Sequence, residues 1–350
     1  MEAKRVKWGV IGCGGIADRR TIPGMMLAEN AELVAVMDAN AEAAARVKEK
    51  YGAKYAFDKM EDLLALDEIE AVYIASPVFC HKEQAFAAAR AKKDILIEKP
   101  VGLSVAEAEE IAAFCKSEGV KLGVGFMMRF HAYHQKMREL VQGGKIGEVV
   151  SVRSQFTCWY PEMENCWRQE KKLSGGGAMM DLGVHCVDLV RYITGLEVVE
   201  AAGLCGNQIF KYNVEDAGGV VFRMENGAIG FVDANFNIPD AAAKCKIEVY
   251  GTKGSIFAEG TLSQEEGGHV EVLCADDTVG YDANQNRSAD VKPMELEVTF
   301  GNMYTKEIEG FGRAVRGECA VPVTAEDGIA SQKVIETAYK TNAAKTYQKL

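Results

Sequence analysis

The 350-residue sequence lacks any C-x-x-C pair, although it has 10 cysteines. They are scattered through apolar segments. The sequence therefore predicts reduced, buried thiols in a cytoplasmic protein, with neither a disulfide framework nor a zinc site. It also lacks an excess of basic residues: 40 Lys and Arg stand against 51 Asp and Glu, a formal charge of −11. That balance argues against nucleic-acid partners and against docking on anionic lipid, and leaves room for an anionic ligand in a locally basic cleft. No apolar run reaches the roughly 18 residues of a membrane span. The opening Met1-Glu2-Ala3-Lys4-Arg5 runs into a strand-like segment, so no signal peptide is expected. There is no internal repeat and no low-complexity segment. What is there is ordinary globular composition, 48% hydrophobic and 26% charged. The length exceeds what one core usually supports, so two domains are expected.

The first third alternates strand and helix signals. Short, apolar, non-alternating runs over 7–12, 32–38, 71–76, 94–99 and 121–126, with a weaker one near Tyr55, read as strands buried on both faces. Helical patterns lie between them over 16–28, 41–51, 81–91 and 104–117. The last opens on Ser104 with Glu107 three residues on, a capping-box spacing, and stops at Gly119. Repeated βα units of this length specify a parallel sheet with right-handed crossovers. After residue 126 the texture turns β-rich, with strands expected over 148–157, 197–209, 217–223, 228–236, 244–250, 255–258 and 295–299. Helices are expected over 133–142, 177–193, 304–315 and 326–340, and a polar loop over 275–291. The fold class is α/β: a doubly wound Rossmann domain over 1–125, then an α+β substrate-binding and oligomerisation domain over 126–350 with a large, mostly antiparallel open sheet. The C-terminal helix is expected to pack back on the first domain.

Gly12-Cys13-Gly14-Gly15-Ile16-Ala17 fits G-x-G-x-x-A between the first strand and the first helix. Gly12 would make the tight turn, Gly14 would let the backbone approach a pyrophosphate, and Ala17 would let the helix pack closely on the sheet. With Gly15 and Ile16 they place phosphates at a helix N-terminus. Asp38 ends the second strand, where a carboxylate accepts from a ribose 2′-hydroxyl and repels a 2′-phosphate. Ala39-Asn40 follows with no arginine, so NAD is favoured over NADP. Cys13 reads as a small filler of the turn.

Glu98-Lys99-Pro100 ends the fifth strand, at the edge that faces the ligand crevice of an open α/β sheet. Two further segments carry chemistry: Trp167-Arg168, and the run Gly175-Gly176-Gly177 through Asp181, His185 and Asp188. On a helix, Asp181 and His185 are i,i+4 neighbours and Asp188 follows one turn later. A glycine run at a helix start lets another group approach the backbone. Asp188 reads as structural. Trp167 and Arg168 read equally as pocket wall or packing, and an arginine there could grip a hydroxyl, a carboxylate or the nicotinamide amide. His81 reads as capping its helix and lining the cofactor edge. His131 and His134 have no third ligand nearby and read as packing residues, so no metal site is expected.

These segments make the chain resemble the glucose–fructose oxidoreductase / inositol dehydrogenase family (Gfo/Idh/MocA). The likeness also includes Ala75-Ser76-Pro77 with His81, Arg129-Phe130, Tyr250-Gly251-Thr252-Lys253-Gly254 and Pro322-Val323-Thr324-Ala325-Glu326-Asp327-Gly328, so it runs along nearly the whole sequence. One position departs: Val78 stands where the family commonly has Asn. The resemblance implies hydride transfer between nicotinamide and a carbinol carbon of a sugar, polyol or inositol-like substrate. It implies His185 as acid/base, Asp181 as orienter and Lys99 as donor to the developing alkoxide. Glu98 would touch cofactor or hold the loop, with Ser76, Pro77 and His81 along the cofactor. Trp167 and Arg168 would join Asp181 and His185 at the substrate. Specificity is expected from Arg153, Gln155, Trp159, Tyr160 and Asn235. NAD-recycling glycosidases share the superfamily, and a non-catalytic NAD sensor is a third reading. A sensor has no need for lysine, aspartate and histidine aligned at a crevice. One face of the second sheet is expected to cover substrate and the other to be buried in a homodimer or homotetramer.

Overall fold

The computed structural model describes residues 5–275 and 296–346, together with Ala283, Val291, Pro293 and Met294. Residues 1–4, Glu295 and most of the loop expected over 275–291 lie outside the described residues. The first sheet has six strands: β1 (Val6–Ile11), β2 (Ala31–Met37), β3 (Tyr55–Phe57), β4 (Ala71–Ile74), β5 (Asp94–Glu98) and β6 (Leu122–Gly125). All pair in parallel, in the order β3-β2-β1-β4-β5-β6. β4 and β6 bury every side chain and β1 nearly every one, as expected for strands covered on both faces. The order reverses between β1 and β4, which opens the ligand crevice at their carboxyl ends.

The connecting helices are α1 (Ile22–Leu27), α2 (Ala41–Tyr51), α3 (Met60–Leu64), α4 (His81–Arg90) and α5 (Val105–Glu118). Local chemistry punctuates them. Asn40 caps α2 by accepting from the amides of Glu42 and Ala43, and Gly52 ends it at φ 73°. The helix expected over 16–28 is split. A wider π turn over Ala17–Thr21 precedes α1, where Pro23 has no N–H to return to the preceding turn. At α5, Ser104 accepts from the Glu107 amide, but the full reciprocal box forms elsewhere, between Thr324 and Asp327.

Five helices follow: α6 (Ala132–Gln142), α7 (Lys171–Ser174), α8 (Val184–Thr194), α9 (Met303–Val315) and α10 (Ala325–Ala344). The second sheet comprises β7 (Val149–Thr157), β8 (Val198–Gly206), β9 (Ala217–Met224), β10 (Ile229–Asn235), β11 (Lys246–Gly251), β12 (Gly254–Glu259) and β13 (His269–Cys274). Its order is β13-β12-β11-β7-β10-β9-β8, antiparallel except for the β7/β10 pair.

Three expectations are corrected. β8 stops at Gly206 rather than 209, because the Asp216 carboxylate takes the amides of Gln208, Ile209 and Phe210 away from the ladder. β13 carries no expected counterpart. Residues 296–299 form no strand: among the described residues of this stretch only Met294 bridges to β13, and alternation without a bonding partner makes no ladder.

The sheet's inner face is covered by α8 and α10, not by open substrate space. Its outer face exposes Leu204, Val221 and Phe231. α10 packs on both sheets, against β8 and β9 of the second and β6 of the first, while α9 packs on the first domain. Thr305 donates to the Gly24 carbonyl at 2.8 Å, and Phe311 packs on Trp8 at 5.7 Å between centroids. Val124 donates to Val323 at 3.1 Å. Among the described residues, no helix is long and apolar enough to cross a membrane.

Candidate functional site

The glycine turn leaves β1 at the crevice. Gly12 has φ +96°, and a Cβ there would come within 2.7 Å of the Ser76 amide nitrogen. A Cβ on Gly14 would meet nothing within 4 Å, so the space above it is open for a diphosphate. Asp38 braces the turn: it accepts from the Cys13 amide at 2.8 Å and the Asn40 amide at 2.9 Å. Each carboxylate oxygen retains a lone pair for a ribose hydroxyl. The arrangement fits a dinucleotide. Cys13 is buried, and burial first, then Asp38, push its thiol up to about 12.

Lys99 follows β5 directly. Its ammonium donates to the Asp181 carboxylate at 2.7 Å and to the Asp181 carbonyl at 2.8 Å. Arg168 Nε stands 3.9 Å from the same carboxylate oxygen, and its guanidinium lies 4.4 Å over the Trp167 ring. Burial pushes the Asp181 carboxyl up, but Lys99 and Arg168 outweigh it and hold it well below the usual carboxylate range. His185 is buried, edge-on to Phe126 at 5.4 Å and Phe156 at 6.2 Å. Burial, then the Lys99 charge, push its pKa well below 6.5 against the opposing pull of Asp181. Its Nδ1 is buried without a hydrogen-bond partner among the described residues.

The Asp181–His185 segment is not one regular helix. Met179–Gly183 form a π turn, and His185 sits in the first turn of α8. Such widened turns are frequent at functional sites. The glycine run before it admits protein groups. A Cβ on Gly175 would strike the Leu103 carbonyl, one on Gly176 the Tyr339 hydroxyl, and one on Gly177 the Glu215 carbonyl. Glu215 then caps the turn, accepting from the Gly177 amide at 2.9 Å, the Met179 amide at 3.0 Å and the Tyr339 hydroxyl at 2.6 Å. The sequence reading missed Glu215 because nothing local marks a cap 38 residues away.

Asp188 turns inward to a buried, bidentate pair with Arg129 at 2.6 and 2.9 Å, and Asp327 reaches the same guanidinium at 3.0 Å. This network anchors α8 behind His185.

The other residues singled out by the sequence are spread around this centre. His81 makes no cap. It is buried, and its ring nitrogens meet the carbonyls of Pro100 (3.1 Å), Val101 (3.3 Å) and Ser76 (3.0 Å), so it braces the Lys99-Pro100 loop against β4's exit. Ser76 and Pro77 sit on that exit, with Ser76 Oγ donating to the Ile11 carbonyl at 3.4 Å. Glu98 is engaged by the Tyr73 hydroxyl at 2.5 Å, and burial raises its pKa. Gln155 and Asn235 both donate to Asp233, and Arg153 lies over the Tyr250 ring. Strand alternation turns these three to the sheet face opposite α8, whereas Phe156 and Ala234 face it. Tyr160 lies beside the Cys166–Gln169 turn, its hydroxyl 3.1 Å from Cys166 Sγ, whereas the Trp159 amide donates to Asp240 at 3.1 Å and its ring meets Phe210. His131 and His134 use their ring nitrogens on Tyr133, Gly267, Met128 and Thr261.

Residues 6–126 match the oxidoreductase family described as having an NAD-binding Rossmann fold. Residues 134–257 match the Gfo/Idh/MocA C-terminal domain. The chain belongs to the Gfo/Idh/MocA oxidoreductase family. It is an NAD(P)-dependent dehydrogenase/reductase. This Gfo/Idh/MocA protein is 30% identical to a 1,5-anhydro-D-fructose reductase of Ensifer adhaerens over 92% of each chain. It is 31% identical to a myo-inositol 2-dehydrogenase of Thermotoga maritima over 72% of this chain and 74% of that one. Its fold superposes on the aldose-aldose oxidoreductase of Caulobacter crescentus, solved with glycerol, at a TM-score of 0.87 and 23% identity, covering 99% of this chain and 100% of that one.

Proposed function

We propose that this Gfo/Idh/MocA protein uses NAD to oxidise or reduce a carbinol carbon of a sugar, polyol or inositol-like substrate. The observation that carries the reading is the meeting of Lys99 with Asp181 beside His185, outside the carboxyl end of β5. The sugar and cyclitol relatives support the substrate class. A bound nicotinamide supplies the hydride acceptor or donor. Gly12, Gly14, Gly15, Ile16 and Asp38 would hold its dinucleotide, with Ser76, Pro77 and the Glu98-Lys99 loop along the nicotinamide end. The Asp38 carboxylate favours NAD over NADP, and Arg46 on α2 is already engaged by Asp18 at 2.6 Å.

The residues divide the proton chemistry. Burial keeps the His185 imidazole neutral, so it has a lone pair to take the substrate hydroxyl proton in oxidation, and it returns that proton in reduction. Lys99 spends two of its three N–H donors on Asp181, which leaves one for the substrate oxygen as negative charge develops there. Asp181 orients that ammonium and stabilises the imidazolium. Arg168 and Trp167 wall the substrate side. We further infer a division into domains at 125/126, a homo-oligomer built on the outer face of the second sheet, and a cytoplasmic setting. Ten free thiols support that setting.

The test is NADH formation at 340 nm across sugars, polyols and inositols. Lys99→Met should lower turnover by about 100-fold or more while NAD affinity changes only a few-fold. Full activity in that variant would remove Lys99 from the mechanism.

A further inference from the structure

The Cys166–Leu173 segment carries a second feature next to the site. A cavity of about 620 Å3 lies against it, lined by Glu162, Trp167, Glu170, Leu173, Lys211 and Tyr212 among others. Trp167 belongs to both places. It lines the cavity, and its ring carries Arg168, which reaches Asp181 at 3.9 Å. A ligand held at Asp181 could extend past that wall.

The chemistry of the lining is selective. Among the described residues, the Glu162 carboxylate accepts only the Lys211 amide at 2.8 Å, and the Glu170 carboxylate accepts only the Asn213 side chain at 2.8 Å. A carboxylate has about four lone-pair positions, so both keep acceptors for hydroxyl donors. Trp167 and Tyr212 add flat apolar surface with a polar edge, the kind of surface that covers the C–H face of a sugar ring. The aromatic surface continues outward: Tyr212 stacks on Phe210 at 5.5 Å, and Phe210 meets Trp159 at 5.2 Å. Trp159 remains 43% exposed. The lining holds two carboxylates and one ammonium, so it repels a phosphate.

We propose that this cavity is an accessory subsite for a second, uncharged sugar ring. The protein then prefers disaccharides to single sugars and phosphorylated sugars. The proposal rests on the sugar or polyol reading above.

The experiment titrates the NADH-loaded protein calorimetrically with glucose, galactose, maltose, cellobiose, lactose, melibiose and glucose 1-phosphate. NADH formation on the same panel is followed separately in the presence of NAD. At least one disaccharide should bind about tenfold more tightly than its component monosaccharides, the worth of one good aromatic contact. Glucose 1-phosphate should bind more weakly than glucose. Tyr212→Ala should bring the disaccharide advantage to within about twofold, leaving monosaccharide binding unchanged. Leu173→Trp, which narrows the cavity without removing its walls, should do the same. Equal binding of mono- and disaccharides, no binding of any sugar, or an advantage that survives both variants overturns the subsite. A disaccharide advantage without any NADH formation would leave the subsite standing and count against the redox reading instead. NADH formation without a disaccharide advantage would do the reverse.

Discussion

At the residue scale, the described chain handles charge by burying groups in their neutral state or against a partner. His134 is the clearest neutral case. It is fully buried, and burial together with neighbouring His131 lowers its pKa to about 3. Its folded pKa lies below the unfolded value near 6.5, so the stability that depends on its neutrality is complete above pH 6.5. That stability falls as acid protonates the unfolded chain first. The loss runs at about 1.4 kcal/mol per pH unit between pH 6.5 and about 3. Chemical denaturation of His134→Gln should therefore show a shallower decline over pH 6.5–5 than the parent protein. Reading the difference between the two proteins cancels the opposite contribution of Glu307. That buried carboxyl is raised by burial and Glu98, and it loses stability as pH rises. Identical slopes in parent and variant would contradict the buried neutral ring. Lys99, Asp181 and His185 were legible as types and spacings. That Lys99 meets both the side chain and the backbone carbonyl of Asp181 was not, because the contact joins segments 82 residues apart.

At the element scale, the helix that carries His185 is held from behind. α8 is buried along most of its length, and its Asp188 is locked to Arg129. Removing Asp188 takes two charge-assisted hydrogen bonds from the buried Arg129 guanidinium and leaves it Asp327 alone. Asp188→Ala should cost about 1.5–3 kcal/mol in urea denaturation. A loss under about 1 kcal/mol would show that the pair does not anchor α8. Helix punctuation was readable where it is local, as at Ser104 and Gly119. The π turns before α1 and α8 were not readable. Helical periodicity tolerates one extra residue per turn, and the bonding that selects it comes from neighbours such as Glu215.

At the scale of the whole molecule, the second sheet leaves an outer face with Leu204 55%, Val221 43% and Phe231 45% exposed. Neighbouring strands bring Val221 and Phe231 into register. Apolar side chains gathered on one flat face are normally covered by a partner, and a symmetric second copy is the simplest cover. Light scattering at micromolar concentration should therefore report a dimer or tetramer, and Phe231→Glu should shift it toward monomer without unfolding the chain. A monomeric parent protein would remove this assembly.

The sequence by itself determined the fold class, the nucleotide turn and the identities of the three proposed catalytic side chains. Those features depend on spacing within a few residues: apolar runs, glycines at fixed offsets, and a lysine at a strand end. Tertiary structure alone decided which strand face looks at α8, what fills the space beside Gly175–Gly177, and how α10 packs against both sheets. Such outcomes depend on packing between segments far apart in the chain. Burial then makes each buried polar group find its partner wherever the fold has brought one.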